Sequence, residues 1–446
     1  MKKIIYIILG IFLFSCDDFV DETPKGNLIP TSIDDLGYLM YSMPDNDMTA
    51  GFFNGTTIQF YMSDDVYYKH GDWIRENIKN AYLYKDVFFA NNDKDMRFSS
   101  LYKAIYISNY VIENIDHAPE SKEKFFERNI VKGNAYFHRA FNHFMLAIAY
   151  SSLYHNNDSE LSIPYVTKSS TSQTYKRNTI KEVYTYILSD LEVASKYLGE
   201  HVDFKNPSQV SLNALYSKIN FFMGKYDLAI SYAQNVLQKK SVIDDYTNWS
   251  SMGYPYRNTL LNDPDLIYYK AMSGGQMIDL KPSAELLAEF GIYDLTTDKL
   301  GECKDYRKHL LTFQSWTSCY AFNFTIPKNG GLSTSETILN LVESYLRLEI
   351  PNAEKAKEWL NKFLPMRYSQ VPEISTLNNK DLLDFVKSER RKEFCTRGTR
   401  FFDLKRWKTF HNEEINIIHT VNEESVTLNS NSNKWNIPFP KEVKYN

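Results

Sequence analysis

The sequence predicts a mainly α-helical fold: a scaffold of paired helices that is interrupted by two long, loop-rich stretches. Apolar residues recur at three- and four-residue spacing through most of the chain, which is typical of helices with one buried face. Within residues 43–92 and 240–333, glycine, proline and polar residues break this spacing, so we expect long loops there. The helical scaffold should then lie mainly in residues 95–240 and 335–446.

Nine stretches carry the helical spacing most strongly. They are Phe98–His117, Glu123–Tyr150, Thr179–Leu198, Ser208–Met223, Tyr226–Lys239, Ser335–Glu349, Ala353–Phe363, Lys380–Phe394 and Phe401–Phe410. An amphipathic helix in a protein gains most of its stability by packing its apolar face on a neighbour. We therefore assign residues 31–446 to a single domain.

One helix pair, Ser208–Leu237, has the chemistry of a tetratricopeptide unit. Small residues such as Ser217 and Ala229 let the two helices approach closely, and Gly224 permits the left-handed backbone of the turn between them. A weaker copy covers residues 344–363. Such pairs stack so that neighbours bury each other's faces. Generic antiparallel helix packing is the alternative that periodicity alone leaves open.

The first fifteen residues predict an export signal that is cleaved from the mature protein. Lys2 and Lys3 precede the apolar run Ile4–Phe14, which is shorter than the roughly 20 residues that a membrane-spanning helix needs. Leu13–Cys16 resembles the lipobox of bacterial lipoproteins, so we expect Cys16 to be the lipidated N-terminus. A plain secretory signal that contains a cysteine by chance is the alternative.

Residues 16–30 are polar and contain two prolines and a glycine, so they predict a flexible tether. No other stretch of the sequence is apolar enough to cross a bilayer. Membrane attachment should therefore rest on the lipid at Cys16, which several acyl chains would hold firmly.

Composition argues against several classes of protein. A net charge of −4 and an isoelectric point near 6.2 give no basic field for nucleic acid. The common metallohydrolase, esterase, P-loop and dinucleotide motifs do not occur, so we expect no catalytic residue. We also expect no cofactor or metal, and nothing in the sequence supports a structural calcium ion.

Cys303 and Cys319 are the most plausible disulfide pair, although the sequence does not decide whether they pair.

Two acidic pairs and two histidines are the remaining candidates for a catalytic or metal site. Asp64–Asp65 and Asp244–Asp245 could serve a glycosidase only if carboxylates lay about 5–10 Å apart in space, and helix caps or solvated turns are the interpretation we favour. His138 and His143 lie five residues apart on a predicted helix, a poorer metal spacing than four. We interpret them as packing or surface residues.

The C-terminal stretches Glu389–Phe394 and Gly398–Trp407 resemble the signature of the SusD/RagB family. Further matching stretches occur in family order, and together they cover essentially the whole mature chain. They are Asn134–Phe141, Arg177–Tyr184 with Asp190–Leu191, Pro282–Leu287 and Ile437–Val443.

The resemblance implies a surface-exposed outer-membrane lipoprotein that captures glycan for a TonB-dependent transporter without catalysing a reaction. It also implies about four tetratricopeptide-like helix pairs, with loops and extra helices forming the ligand face. Two alternatives stay open: a member that binds peptide or protein, and, less favoured, a surface glycoside hydrolase.

Candidate ligand residues are loop aromatics, because the C–H faces of sugar rings stack on Trp and Tyr side chains. The first loop region offers Tyr67, Tyr68 and Trp73 beside several polar residues. The second loop region offers five more aromatic residues: Trp249, Tyr254, Tyr256, Trp316 and Tyr320. The three tryptophans are the platforms we favour.

The C-terminal signature itself predicts structure and not a ligand site. Arginines alternate with carboxylates beside large aromatic residues, a pattern typical of a partly buried ion-pair network between helices, since Arg forks match carboxylates. Replacement of Arg400 should therefore lower stability by leaving a carboxylate unpaired.

Overall fold

A computed structural model describes most of the chain from residue 29 to residue 440. The described residues are 29–46, 58–89, 95–121, 123–155, 159–170, 175–200, 204–248, 263–270, 280–294, 299–300, 303–314, 319–322 and 329–440. Cys16, with the predicted signal and nearly all of the tether, lies outside them, as do Trp249, Tyr254, Tyr256 and Trp316.

Helices account for most of the described secondary structure. They are α1 (Ile33–Asn46), α2 (Ile58–Tyr61), α3 (Glu76–Tyr82), α4 (Met96–Asn114), α5 (Arg128–Tyr150), α6 (Ile180–Ser195), α7 (Gln209–Phe222), α8 (Tyr226–Lys239), α9 (Ala284–Glu289), α10 (Thr334–Leu346), α11 (Ala353–Phe363), α12 (Asn379–Phe394) and α13 (Arg400–His411). Among the described residues, no helix is long and apolar enough to span a membrane.

The strands are short. They are β1 (Val66–Tyr67), β2 (Leu266–Tyr268), β3 (Lys281–Pro282), β4 (Tyr293–Asp294), β5 (Lys299–Leu300), β6 (Leu311–Gln314), β7 (Cys319–Phe322), β8 (Leu332–Ser333), β9 (Asn416–Val421) and β10 (Glu424–Asn429). They form the antiparallel pairs β1–β3, β2–β8, β4–β5, β6–β7 and β9–β10. The fold is therefore mainly α, as predicted.

All nine predicted helices are present, with ends within about five residues of the predicted ones. Shorter elements inside the first predicted loop region were missed. Helix α2 has four residues and β1 has two, which is too short for a periodic pattern to develop. The β9–β10 hairpin was also missed, although its burial alternates along β9 as a half-buried strand requires.

The scaffold consists of helices that pack against their neighbours in sequence: α4 on α5, α5 on α6, α7 on α8, and α10 on α11. In the α7–α8 pair, the Ser217 hydroxyl donates to the carbonyl oxygen of Ala229 at 2.9 Å, so small residues do bring the backbones close. Gly224 in the turn has φ +69°, in the left-handed region that favours glycine. The tetratricopeptide character of the full set of pairs stays a prediction.

Cys303 carries a free, half-buried thiol whose Sγ lies 3.4 Å from the carbonyl oxygen of Asp305.

His138 and His143 of α5 are fully buried, so they are packing residues. The His143 ring stacks on Tyr165 with centroids 3.8 Å apart. Its Nδ1 lies 2.9 Å from the Arg139 carbonyl oxygen, and its Nε2 accepts the Val166 N–H at 3.0 Å. Because Nε2 is used as an acceptor, the ring must be neutral. Burial accordingly lowers the pKa of His143 to about 3.

The pKa of His143 is lower in the folded protein than in the unfolded protein, where it is about 6.5. As the pH falls from about 6.5 toward 3, the unfolded protein therefore takes up a proton that the folded protein does not, and the fold loses stability. The wild-type protein should therefore lose stability relative to His143→Gln over this range, by up to about 1.4 kcal/mol per pH unit. Urea unfolding of both proteins between pH 7.5 and 4 measures the difference, and every other titrating group is common to the pair. A difference that does not change with pH would contradict the assignment of a neutral ring.

Candidate ligand-binding surface

The loop of residues 66–75, here called the Trp73 loop, presents an unusually exposed aromatic side chain. Trp73 is 73% exposed, whereas Trp407 and Trp435 are each 3% exposed and Trp359 is half-buried. Tryptophan is mostly buried in folded proteins, so this exposure needs a cause. A large exposed aromatic surface on an ordered loop is typical of a binding platform.

Hydrogen bonds inside the Trp73 loop hold it in one shape. The Tyr68 hydroxyl donates to the carbonyl oxygen of Asp72 at 2.7 Å, and the Tyr68 N–H donates to the Tyr82 hydroxyl at 3.2 Å. Gly71 closes the turn with φ +86°, a backbone conformation that glycine adopts without strain. Trp73 thus follows a turn that its own side chain does not have to stabilise.

Three of the predicted tyrosines lie around this platform. Tyr67 is 38% exposed and pairs with Lys281 across β1–β3. Strand β3 also packs against β7, which carries Tyr320, and Tyr68 and Tyr320 cover the same apolar cluster. The three tyrosines thus lie on neighbouring elements, although Tyr320 follows Tyr68 by 252 residues in sequence.

Lys281 is a site residue that sequence reasoning missed. Its side chain is only 5% exposed, and its Nζ lies 3.9 Å from Asp72 Oδ2 in the Trp73 loop. That oxygen is shielded from solvent and accepts no hydrogen bond. The lysine therefore balances the charge of a carboxylate in the Trp73 loop. Nothing local in the sequence around residue 281 could have indicated this, because the partner is 209 residues away.

The loop is anchored at its base by two ion pairs to the C-terminal helices. Asp64 accepts two hydrogen bonds of 2.8 Å from the Arg400 guanidinium, and Asp65 accepts one of 2.7 Å from Arg391. The main chain is tied as well, since the Ser283 N–H donates to the Asp65 carbonyl oxygen at 2.8 Å. The interpretation of Asp64–Asp65 as a cap or solvated turn was wrong.

The two neighbouring carboxylates differ in environment. Burial opposes ionisation of Asp64, but the charges of Arg400 and Arg391 outweigh it and hold the pKa of Asp64 well below its usual range. Asp65 is 1% exposed, and burial raises the pKa of Asp65 to about 6 against the attraction of Arg391. Both carboxylates are engaged by arginine, which leaves neither placed as a glycosidase acid.

The same arrangement continues through the rest of the C-terminal signature, which forms the predicted ion-pair network. Arg307 binds Glu389 at 2.7 Å, and Arg367 binds Glu393 at 2.8 Å, with all four side chains fully buried. A second group joins α10 to α12 and α13. Its members are Glu343, Arg390, Asp403 and Arg406.

No group of three or more His, Cys, Asp or Glu side chains that could hold a metal ion occurs in the described ranges. The arrangement around Trp73 is one of aromatic surface with polar neighbours. Chemically it suits binding of a ligand with both apolar faces and hydroxyl edges.

Arg400→Ala tests the anchor. It should lower the free energy of unfolding by about 2–3 kcal/mol, less than the 3–5 kcal/mol typical of a fully buried pair, because the Asp64 side chain remains 31% exposed. Chemical denaturation measures the change. Lys380→Ala is the matched control, since its pair with Asp384 is exposed and should contribute nothing measurable. Unchanged stability together with lost ligand binding would show that Arg400 is a ligand residue.

Comparison with known proteins gives matches along most of the chain. The model of a family described as starch-binding and associating with the outer membrane matches residues 21–223, and the model of the SusD family matches residues 334–446. No curated protein matches the chain.

Solved structures share the fold. A SusD superfamily protein from Bacteroides thetaiotaomicron superposes with a TM-score of 0.70 at 18% identity, covering 91% of this chain and 96% of that one. A SusD superfamily protein from Bacteroides fragilis gives a TM-score of 0.70 at 19% identity, covering 92% of this chain and 97% of that one. A SusD-like carbohydrate binding protein from Bacteroides vulgatus gives a TM-score of 0.59 at 17% identity, covering 90% of this chain and 89% of that one. Because the two family models together match residues 21–223 and 334–446, the chain belongs to the SusD/RagB family.

Proposed function

We propose that this protein is a non-catalytic cell-surface lipoprotein that captures glycan and delivers it to a TonB-dependent outer-membrane transporter. The observation that carries the proposal is the 73% exposed Trp73 on a loop fixed by hydrogen bonds and ion pairs. The family models add the association with starch and with the outer membrane.

The chemistry of the Trp73 loop suits a sugar. A flat indole face can cover the C–H face of a pyranose ring, and the half-exposed Tyr67 beside it adds a hydroxyl. The platform is already ordered before the ligand arrives, so little conformational entropy is lost on binding. Tyr320 and the predicted aromatics Trp249, Tyr254, Tyr256 and Trp316 are proposed to extend this surface.

Attachment and delivery complete the proposal. Lipidation at Cys16 would hold the protein at the outer membrane, and the polar tether of residues 16–30 would let the folded domain move while it stays beside its transporter. The glycan itself is not specified by the fold, and peptide is the competing ligand class.

The first experiment is a glycan array beside a peptide library, followed by calorimetry with the best ligand. Trp73→Ala should weaken glycan affinity about tenfold, since a stacked ring contributes up to about 1.5 kcal/mol beyond its buried area. Because Trp73 is exposed, the variant should unfold at the same denaturant concentration as the wild type.

Phe125→Ala is the matched control, because Phe125 is also exposed, at 65%, but packs near Tyr38 of α1. It should leave glycan affinity unchanged. Exclusive peptide binding would favour the competing ligand class, and release of reducing sugar by the pure protein would show a glycoside hydrolase. Either result would contradict the proposal.

A further inference from the structure

A concave surface lies where residues 84–88 meet the C-terminal segment 433–439. It is a cleft of about 280 Å³ whose walls also include Tyr150 and Arg177. Small-molecule sites usually measure about 300–1,000 Å³, so the cleft has room for one ring-sized group.

Aromatic side chains form much of the cleft, and they are fixed in place. Tyr84, Phe88 and Tyr150 are each less than 5% exposed. The Tyr84 hydroxyl donates to the Met62 carbonyl oxygen at 2.8 Å, and the Tyr150 hydroxyl donates to Asp95 at 2.5 Å. Their polar ends are thus used internally, and these nearly buried rings form the rigid floor of the cleft.

The C-terminal wall is equally well fixed. The Trp435 ring stacks on Phe401 with centroids 5.4 Å apart, and the Ile437 N–H donates to the Ala149 carbonyl oxygen at 3.0 Å. Phe439 completes this wall and lies under the Arg177 guanidinium, 4.6 Å from the ring centroid. A preformed site of this kind loses little entropy on binding.

The charge of the cleft is opposite to that of the whole chain. Lys85, Arg177 and Lys434 line it together with one carboxylate, Asp86, whereas the chain carries a net charge of −4. Lys85 pairs with Glu424 and Lys434 pairs with Asp86, but these side chains are at least 32% exposed, and exposed pairs are weak. A ligand carboxylate could therefore replace a protein carboxylate at little cost.

The cleft also offers an unused hydrogen-bond acceptor. Asn436 is one of its lining residues, and its Oδ1 is shielded from solvent and accepts no hydrogen bond. Such atoms are rare in folded proteins and often indicate a missing partner. A ligand hydroxyl group is a suitable donor.

We propose that this cleft binds a uronic acid residue of an acidic glycan. The half-buried Pro438 and Phe439 suit contact with the C–H side of one sugar ring, Lys85 and Lys434 suit its carboxylate, and Asn436 suits a hydroxyl group. The choice of a sugar over another ring that bears a carboxylate rests on the proposed glycan function. The site would add a preference for acidic chains to a protein whose Trp73 loop recognises ring faces.

The test is calorimetry of the full mature domain with methyl glucuronide and methyl glucoside, which differ only in the carboxylate. Methyl glucuronide should bind one site with a dissociation constant of about 1 mM or below, and methyl glucoside at least tenfold more weakly. The double variant Lys85→Gln/Lys434→Gln should weaken methyl glucuronide at least fivefold. Both lysines are partly exposed, so the variant should fold.

Trp73→Ala separates this inference from the proposed function. It should leave methyl glucuronide binding unchanged while it weakens capture at the Trp73 loop. If capture at the Trp73 loop fails but methyl glucuronide binds the cleft, only the proposed platform is wrong. Four results would each overturn the inference. The first two are no binding of methyl glucuronide at about 20-fold above the expected dissociation constant, and equal binding of both sugars. The other two are a lysine variant that binds as tightly as the wild type, and a cleft that prefers a phenylalanine-terminated tripeptide.

Discussion

Arg391 binds Asp65, which lies 326 residues earlier in the chain, and Arg400 binds Asp64, which lies 336 residues earlier. These contacts join the C-terminal helices to the base of the Trp73 loop, and the architecture around the loop depends on them. Burying such charges is unfavourable unless each has a partner, and loss of one partner leaves an uncompensated charge in the interior. The loop is therefore fixed to the scaffold by interactions that tolerate little change.

This arrangement explains why the family signature contains so many charges: they pair with one another and hold the helices together. Glu389 and Glu393 bind Arg307 and Arg367 within the interior, which fixes α12 against the segment that follows the β4–β5 hairpin. The signature thus determines where the Trp73 loop sits, while in the proposed function exposed residues such as Trp73 make the contacts with the ligand. Ligand preference can then change by loop substitution without altering the core.

The helical scaffold could be predicted from sequence because helical periodicity is local: α8 and α11 have the predicted ends. Trp73 and Tyr68 could be proposed because loop aromatics are visible in the sequence. The partners of Asp64 and Asp65, and the contact of Lys281 with Asp72, could not be predicted, because contacts across hundreds of residues leave no local pattern. For the same reason, the cleft appears only when residues 84–88 and 433–439 are brought together in space.

Arg391 holds the Trp73 loop in place through Asp65, and amide hydrogen exchange of the Arg391→Ala variant tests this contact. The Tyr68 N–H donates to the Tyr82 hydroxyl, and the Ser283 N–H donates to the Asp65 carbonyl oxygen, so both amides report on the loop base. In the variant, these two amides should lose at least tenfold more protection than the Ala229 amide in α8. A uniform loss across all three, or no loss, would mean that the ion pair contributes only to global stability.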